Sequence, residues 1–148
     1  MSYLPGTRDP RFIAGEARAG KVLDAPERAF RMLREEVPWE ADRESSWLVL
    51  VDTKHRVLRI EMVSMGSLGN TFMASREILR TVLRSDAAAF LVAHNHPSGD
   101  PEPSGDDLKV TRQLKRASEA VGVELLDHLV LGAPVTEAWV SLARRGAV

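Results

Sequence analysis

Ala88–Asp107 reads AAFLVAHNHPSGDPEPSGDD. Its opening run, Ala88 to Ala93, is wholly apolar and of strand length, which suits a strand buried on both faces. The run passes directly into His94. From His94 to Asp107 three prolines and two glycines forbid helix and regular sheet until Ser104, so this stretch is an irregular, shaped loop. A buried strand, a rigid loop and a new helix start in sequence mark an α/β fold, and the flanking chain agrees.

Downstream, a helix opening at Ser104 carries Val110, Leu114, Ala117 and Val121 inward and Lys109, Arg112, Lys115 and Arg116 mostly outward, until Gly122 ends it. Val123 to Leu131 reads as the next strand, and Trp139 to Leu142 as a short edge strand. Upstream, Asp24 can cap a helix with Pro26 in its first turn, Glu27 three residues on, and a stripe of Phe30, Leu33 and Val37. Pro38 stops it. Trp47–Val51 is a second apolar run of the buried-strand type. His55-Arg56 then turns the chain into a strand from Val57 to about Met65, where alternation groups Val57, Arg59, Glu61, Val63 and Met65 on one face. Ser75 can cap a further helix bearing Ile78, Leu79, Val82 and Leu83. Strands alternating with three helices predict an α/β sandwich around one mixed sheet.

The chain has 148 residues, enough for one domain but not two ordinary ones. Residues 1–21 lack helical or strand periodicity and are expected to form a flexible arm, leaving 22–148 as the domain. A hydrophobic share of 44% with 28% charged residues excludes disorder over most of the length, and a net charge of -1 gives no global pull toward nucleic acid or anionic lipid. There is no cysteine, which removes disulfides, thiolate metal sites and cysteine nucleophiles together. No apolar run has the roughly 20 residues of a membrane span, and the opening residues lack a secretory h-region, so a cytoplasmic location is expected.

His94 and His96 are two apart and leave an extended segment on the same side, where two imidazoles can share a cation. The Pro/Gly loop can fold back to bring Asp107 to them as a third, anionic ligand. Two His and one Asp leave a tetrahedral Zn²⁺ one position for water, the open arrangement of a catalytic site, and lower the pKa of that water to about 7. Such chemistry also needs a carboxylate to carry the water proton. Glu61, flanked by apolar neighbours that can raise its pKa, is the candidate. It can equally be a solvated strand residue or pair with Arg59 or Arg76. Ser104 can donate to an oxyanion, and it can also be a plain helix cap with Asp106 and Asp107 near the positive helix end. Asp127-His128, inside VELLDHLVL, reads as a buried hydrogen-bonded pair supporting the site rather than ligating directly.

The pattern of an upstream Glu, His-x-His, seven residues, Ser, two residues and Asp resembles the JAMM (MPN+) metalloproteases, with Glu61, His94, His96, Ser104 and Asp107 at those positions. The RadC-like branch is resembled more closely still, through DTKHRVL, EMVSMG with Gly66, Ser75 to Glu77, HNHPSGDPEPSGDD and LLDHLVLG, from about Ala25 to the C-terminus. That resemblance implies a cytidine-deaminase-like three-layer α/β/α sandwich, one Zn²⁺ on His94, His96 and Asp107, Glu61 as general base and Ser104 as oxyanion support. It implies a metallopeptidase or isopeptidase acting on peptide or isopeptide-linked protein. RadC-like proteins commonly carry a helix-hairpin-helix DNA-contacting segment ahead of the metal domain, and only a short arm stands there in this sequence. The rival expectation is a non-enzymatic, DNA-repair-associated module that binds protein or DNA. The basic face of the third helix carries no interleaved aromatics, which argues against DNA contact by this domain alone. A zinc deaminase, the third possibility, would use cysteine ligands and an H-x-E, which this chain lacks. Substrate choice is expected to lie in loops such as Ser67 to Phe72.

Overall fold

The structure, a computed structural model, describes residues 21–65 and 71–148. The expected arm, apart from Lys21, Gly66 and most of the Ser67 to Phe72 loop lie outside the described residues. Among the described residues eight elements follow in order: α1 (Pro26–Glu36), β1 (Ser45–Val51), β2 (Val57–Met65), α2 (Thr71–Leu83), β3 (Ala89–Asn95), α3 (Gly105–Ala120), β4 (Glu124–Leu131) and β5 (Trp139–Ser141). The five strands form one sheet in the order β2-β1-β3-β4-β5. Only β3 and β4 run parallel, joined through α3, so the sheet is mixed as expected.

Period-two alternation divides the core between the two faces of the sheet. Trp47, Val49 and Val51 of β1, with Ala89, Leu91 and Ala93 of β3, pack against Ala29, Met32 and Leu33 of α1. Leu48, Leu50, Phe90 and Val92 point the other way, onto Ile78 and Val82 of α2 and Leu114 of α3. With both faces covered, β1 and β3 are buried at every residue, which is why they read as continuous apolar runs. The result is a three-layer α/β/α sandwich.

Several local readings are corrected. The N-cap of α1 is Ala25, with no side-chain capping bond, because Pro26 already takes the first helical position. Asp24 falls one residue too early and instead pairs with Arg28 at 3.2 Å. Ser75 does not cap α2: the backbone is helical from Thr71, so the Ser75 side chain is buried within the helix. Val121 is exposed at the C-cap of α3 rather than on its inward stripe. In β2 a register shift lets Leu50 and Val51 oppose Arg59 and Val57, so Leu58 is an extra residue. Val57 therefore faces α1 with Ile60, while Glu61 lies opposite Leu48 on the α2/α3 face. An irregularity in the β3/β4 pairing inserts Leu126 into β4, so that Phe90 and Leu91 oppose Leu125 and Asp127. Its consequence falls on the site. Leu125 and His128, three residues apart in sequence, both serve the α3 face.

Candidate metal centre

His94 is the penultimate residue of β3, on the face covered by α3, and its ring is fully buried. His96 follows the strand end, where its backbone N–H donates to Leu131 O at 2.8 Å and its carbonyl accepts from Gly99 N at 2.9 Å. Gly99 closes that turn at φ +87°, a left-handed conformation that suits glycine. The prolines then carry the chain to Ser104, which opens α3 with a capping box. Asp107 N–H donates to Ser104 Oγ at 3.0 Å, and Ser104 N–H donates back to Asp107 Oδ2 at 2.8 Å. The cap fixes the Asp107 rotamer and aims its carboxylate at the histidines.

Three of the sequence-predicted residues thus converge, joined by a fourth. His94 Nε2 and His96 Nε2 lie 3.1 Å apart, and Asp107 reaches them at 3.2 and 3.1 Å through Oδ1 and Oδ2. Glu44 Oε1 lies 3.7 Å from His94 Nε2. One ligand atom from each of Glu44, His94, His96 and Asp107 fits within 4.8 Å of all the others. Glu61 is not in this group. It shares the sheet face of His94, but strand spacing of about 4.8 Å and a rise of about 3.4 Å per residue put their Cα atoms roughly 12 Å apart. Arg59 Nε lies 3.9 Å from its carboxylate.

Glu44 carries no sequence signal of its own. It stands just ahead of β1, in a polar stretch, and antiparallel pairing of Ser46 with His94 is what brings it to the site. Asp127 and His128, expected as a buried hydrogen-bonded pair, are both buried and are joined through the His128 backbone N–H, while their side chains serve different places. Asp127 accepts from the His128 and Ala143 backbone N–H groups at 2.7 and 2.9 Å and from the Ser141 hydroxyl at 2.6 Å, tying β5 to β4. His128 alone reaches the site, with Nε2 2.8 Å from His94 Nδ1.

The donor set fits a divalent cation of the zinc class. A tetrahedron with arms of about 2.1 Å has edges of about 3.4 Å, close to the observed nitrogen–oxygen separations. His96 Nδ1 donates to the Asp100 carbonyl at 2.9 Å, leaving Nε2 to carry either a proton or a metal. Electrostatics agree. Burial would raise the Asp107 carboxyl, but the His94 and His96 rings outweigh it and hold the group well below the usual carboxylate range. The hydrogen bond to Asp107 raises His96 against the effect of its partial burial. Burial raises the Glu44 carboxyl. Burial, reinforced by His94, pushes His128 down to about 3, so it stays neutral.

Among the described residues no helix is long and apolar enough to cross a membrane. The model of the RadC-like JAB domain matches residues 23–147. Relatives described as UPF0758 proteins include those of Desulforudis audaxviator, 43% identical over 75% of this chain and 48% of its own length, and Syntrophotalea carbinolica, 39% identical over 93% and 59%. That of Moorella thermoacetica is 41% identical over 82% of this chain and 53% of its own length. The chain spans about half the length of these curated relatives. With the family model covering nearly the whole domain and the histidines and aspartate of its signature gathered in one place, this chain belongs to the RadC-like JAB domain family.

Proposed function

We propose that this domain is a zinc-dependent hydrolase of amide bonds, acting on a peptide or an isopeptide-linked protein. The observation that supports it is the convergence of His94, His96, Asp107 and Glu44 beside a partly exposed His96 and an exposed Ser104, which leaves substrate an approach. His94, His96 and Asp107 would hold Zn²⁺, which when bound supplies Lewis-acid polarisation of a carbonyl and of water.

In this reading Glu44 takes the proton role that the sequence alone gave to Glu61. Its carboxylate is half-buried and adjacent to the ligands, and burial raises its proton affinity toward the range where a group both accepts and returns a proton. Glu44 removes a proton as water oxygen bonds to the carbonyl carbon. It returns that proton to the nitrogen as the C–N bond breaks. The Ser104 oxygen is engaged as acceptor of the Asp107 N–H, so its own proton remains available to the oxyanion.

The test is metal content of chelator-free protein for wild type and His94→Ala/His96→Ala, followed by peptide and isopeptide hydrolysis by wild type, Glu44→Gln and Glu61→Gln. One zinc per chain, lost in the double variant, with turnover lost in Glu44→Gln, is expected. Full turnover in Glu44→Gln with loss in Glu61→Gln returns the role to Glu61. A folded, metal-free wild type, inert toward amides and binding DNA in a salt-sensitive way, would replace the hydrolase with an accessory module.

A further inference from the structure

His94 is held from behind by a chain of contacts that enters no step above. His94 Nδ1 lies 2.8 Å from His128 Nε2, His128 Nδ1 lies 2.6 Å from Thr111 Oγ1, and Thr111 Oγ1 lies 2.8 Å from the Asp107 carbonyl oxygen. All three side chains are fully buried, so no water competes for these contacts.

A carbonyl oxygen has no proton to give, so the Thr111 hydroxyl must donate to Asp107 O. A hydroxyl has one proton. Thr111 can therefore only accept from His128, whose proton must sit on Nδ1. Fully buried between a hydroxyl and a second imidazole, the His128 ring carries that one proton and presents a bare Nε2, which can only accept, and His94 must donate from Nδ1. The His94 Nε2 lone pair is left facing His96, Asp107 and Glu44. The opposite assignment would set the lone pairs of Thr111 Oγ1 and Asp107 O against each other at 2.8 Å and place a proton on His94 Nε2.

We infer that Thr111 and His128 are positioning residues that fix the tautomer of His94, keeping its Nδ1 protonated so that Nε2 is available to the cation. The relay closes on the ligands themselves. Thr111 sits one helical turn after Asp107, so the carbonyl that sets the direction of the chain belongs to the residue whose side chain supplies the anionic ligand. Rotation of α3 would disturb both ends of the site together. The ring of an unconstrained histidine side chain favours its proton on Nε2, so the arrangement at His128 is one the protein imposes.

This inference rests on the reading of His94 as a metal ligand, and its test separates the two. The first measurement is long-range ¹H–¹⁵N NMR of the histidine rings in metal-free wild-type protein. His128 with its proton on Nδ1 and His94 protonated at Nδ1 are expected, and a His128 proton on Nε2 overturns the relay whether or not any metal binds. The second is Zn²⁺ affinity by competition with a chromophoric chelator. Thr111→Val, which removes the hydroxyl at nearly constant volume, should weaken binding about 10- to 100-fold and return the His128 proton to Nε2. Thr111→Ser should restore both. Unchanged affinity in a folded Thr111→Val overturns the inference. Failure of wild type to bind zinc overturns the metal reading, and the NMR result still decides the tautomer.

Discussion

Asn95, the middle residue of His94-Asn95-His96, accepts the backbone N–H of Ser45 on its side-chain oxygen at 2.8 Å. Its amide nitrogen reaches the carbonyls of Arg43, Glu40 and Ala133 at 2.9, 3.3 and 3.2 Å. The residue between the two histidines thus clamps the segment that carries Glu44. A ligand-bearing strand end and a carboxylate fifty residues upstream are held in one register by a buried amide.

Asn95→Ala would leave the Ser45 N–H and several carbonyls without that partner. A loss of about 1–3 kcal/mol in denaturant unfolding is expected, together with a fall in turnover larger than any fall in zinc affinity. Equal losses in both would show that Asn95 serves the metal ligands rather than Glu44.

Ser104→Ala removes the oxygen that caps α3 and accepts from Asp107. It should cost about 1 kcal/mol of stability, as cap removal commonly does, and should lower turnover more than that figure alone requires if the hydroxyl also serves the oxyanion. Ser104→Asp retains a capping oxygen, so recovery of stability without recovery of activity would separate the two roles.

A side chain at Gly132 would strike the Gly99 carbonyl oxygen and the Thr136 hydroxyl. The Thr136 hydroxyl donates to that same carbonyl at 2.9 Å, so this contact anchors the turn that follows His96. Gly132→Ala should destabilise by about 1–3 kcal/mol and weaken zinc binding, whereas Gly105→Ala, with open space around its position, should leave the turn intact. Thermal melts and metal titration of the two variants check this.

His128, lowered to about 3 by burial, makes the metal-free protein sensitive to acid. Between that value and about 6.5 the unfolded chain binds a proton there and the folded chain does not, so stability rises with pH across this window. The His128 contribution at pH 5 should be about 2 kcal/mol less favourable than at pH 7. His96 has the opposite sign: its raised value contributes stability below about 6.5 that is lost as pH rises through its folded value. The difference between wild type and His128→Asn in urea unfolding at the two pH values isolates the His128 term. Parallel curves would refute it.

Removing zinc should lower the melting temperature. At free metal about 100-fold above Kd the ligand adds about 2.7 kcal/mol, or roughly 5–10 °C for a domain of this size. The His94→Ala/His96→Ala variant should melt at the same temperature with and without chelator.

The layered α/β fold was legible in the sequence because both buried strands are unbroken apolar runs and the helices carry stripes of three-and-four spacing. Several departures fall where one residue changes the phase. Leu58 and Leu126 are extra residues in their strands, and alternation counted through them assigns the wrong face to Val57 and hides the approach of His128 to the site. The caps expected at Asp24 and Ser75 failed for a related reason, since a helix start is set by the backbone that precedes it as much as by the capping side chain.

By itself the sequence determined which histidines and which aspartate come together, because His94, His96, Ser104 and Asp107 are fixed within one strand end, one proline-stiffened loop and one capped helix turn. Only the tertiary structure decided that Glu44 stands beside them and that His128 and Thr111 stand behind them. Strand pairing, a bulge and the docking of α3 on the sheet bring those residues in. These are long-range packing choices, and no local periodicity in the chain records their register.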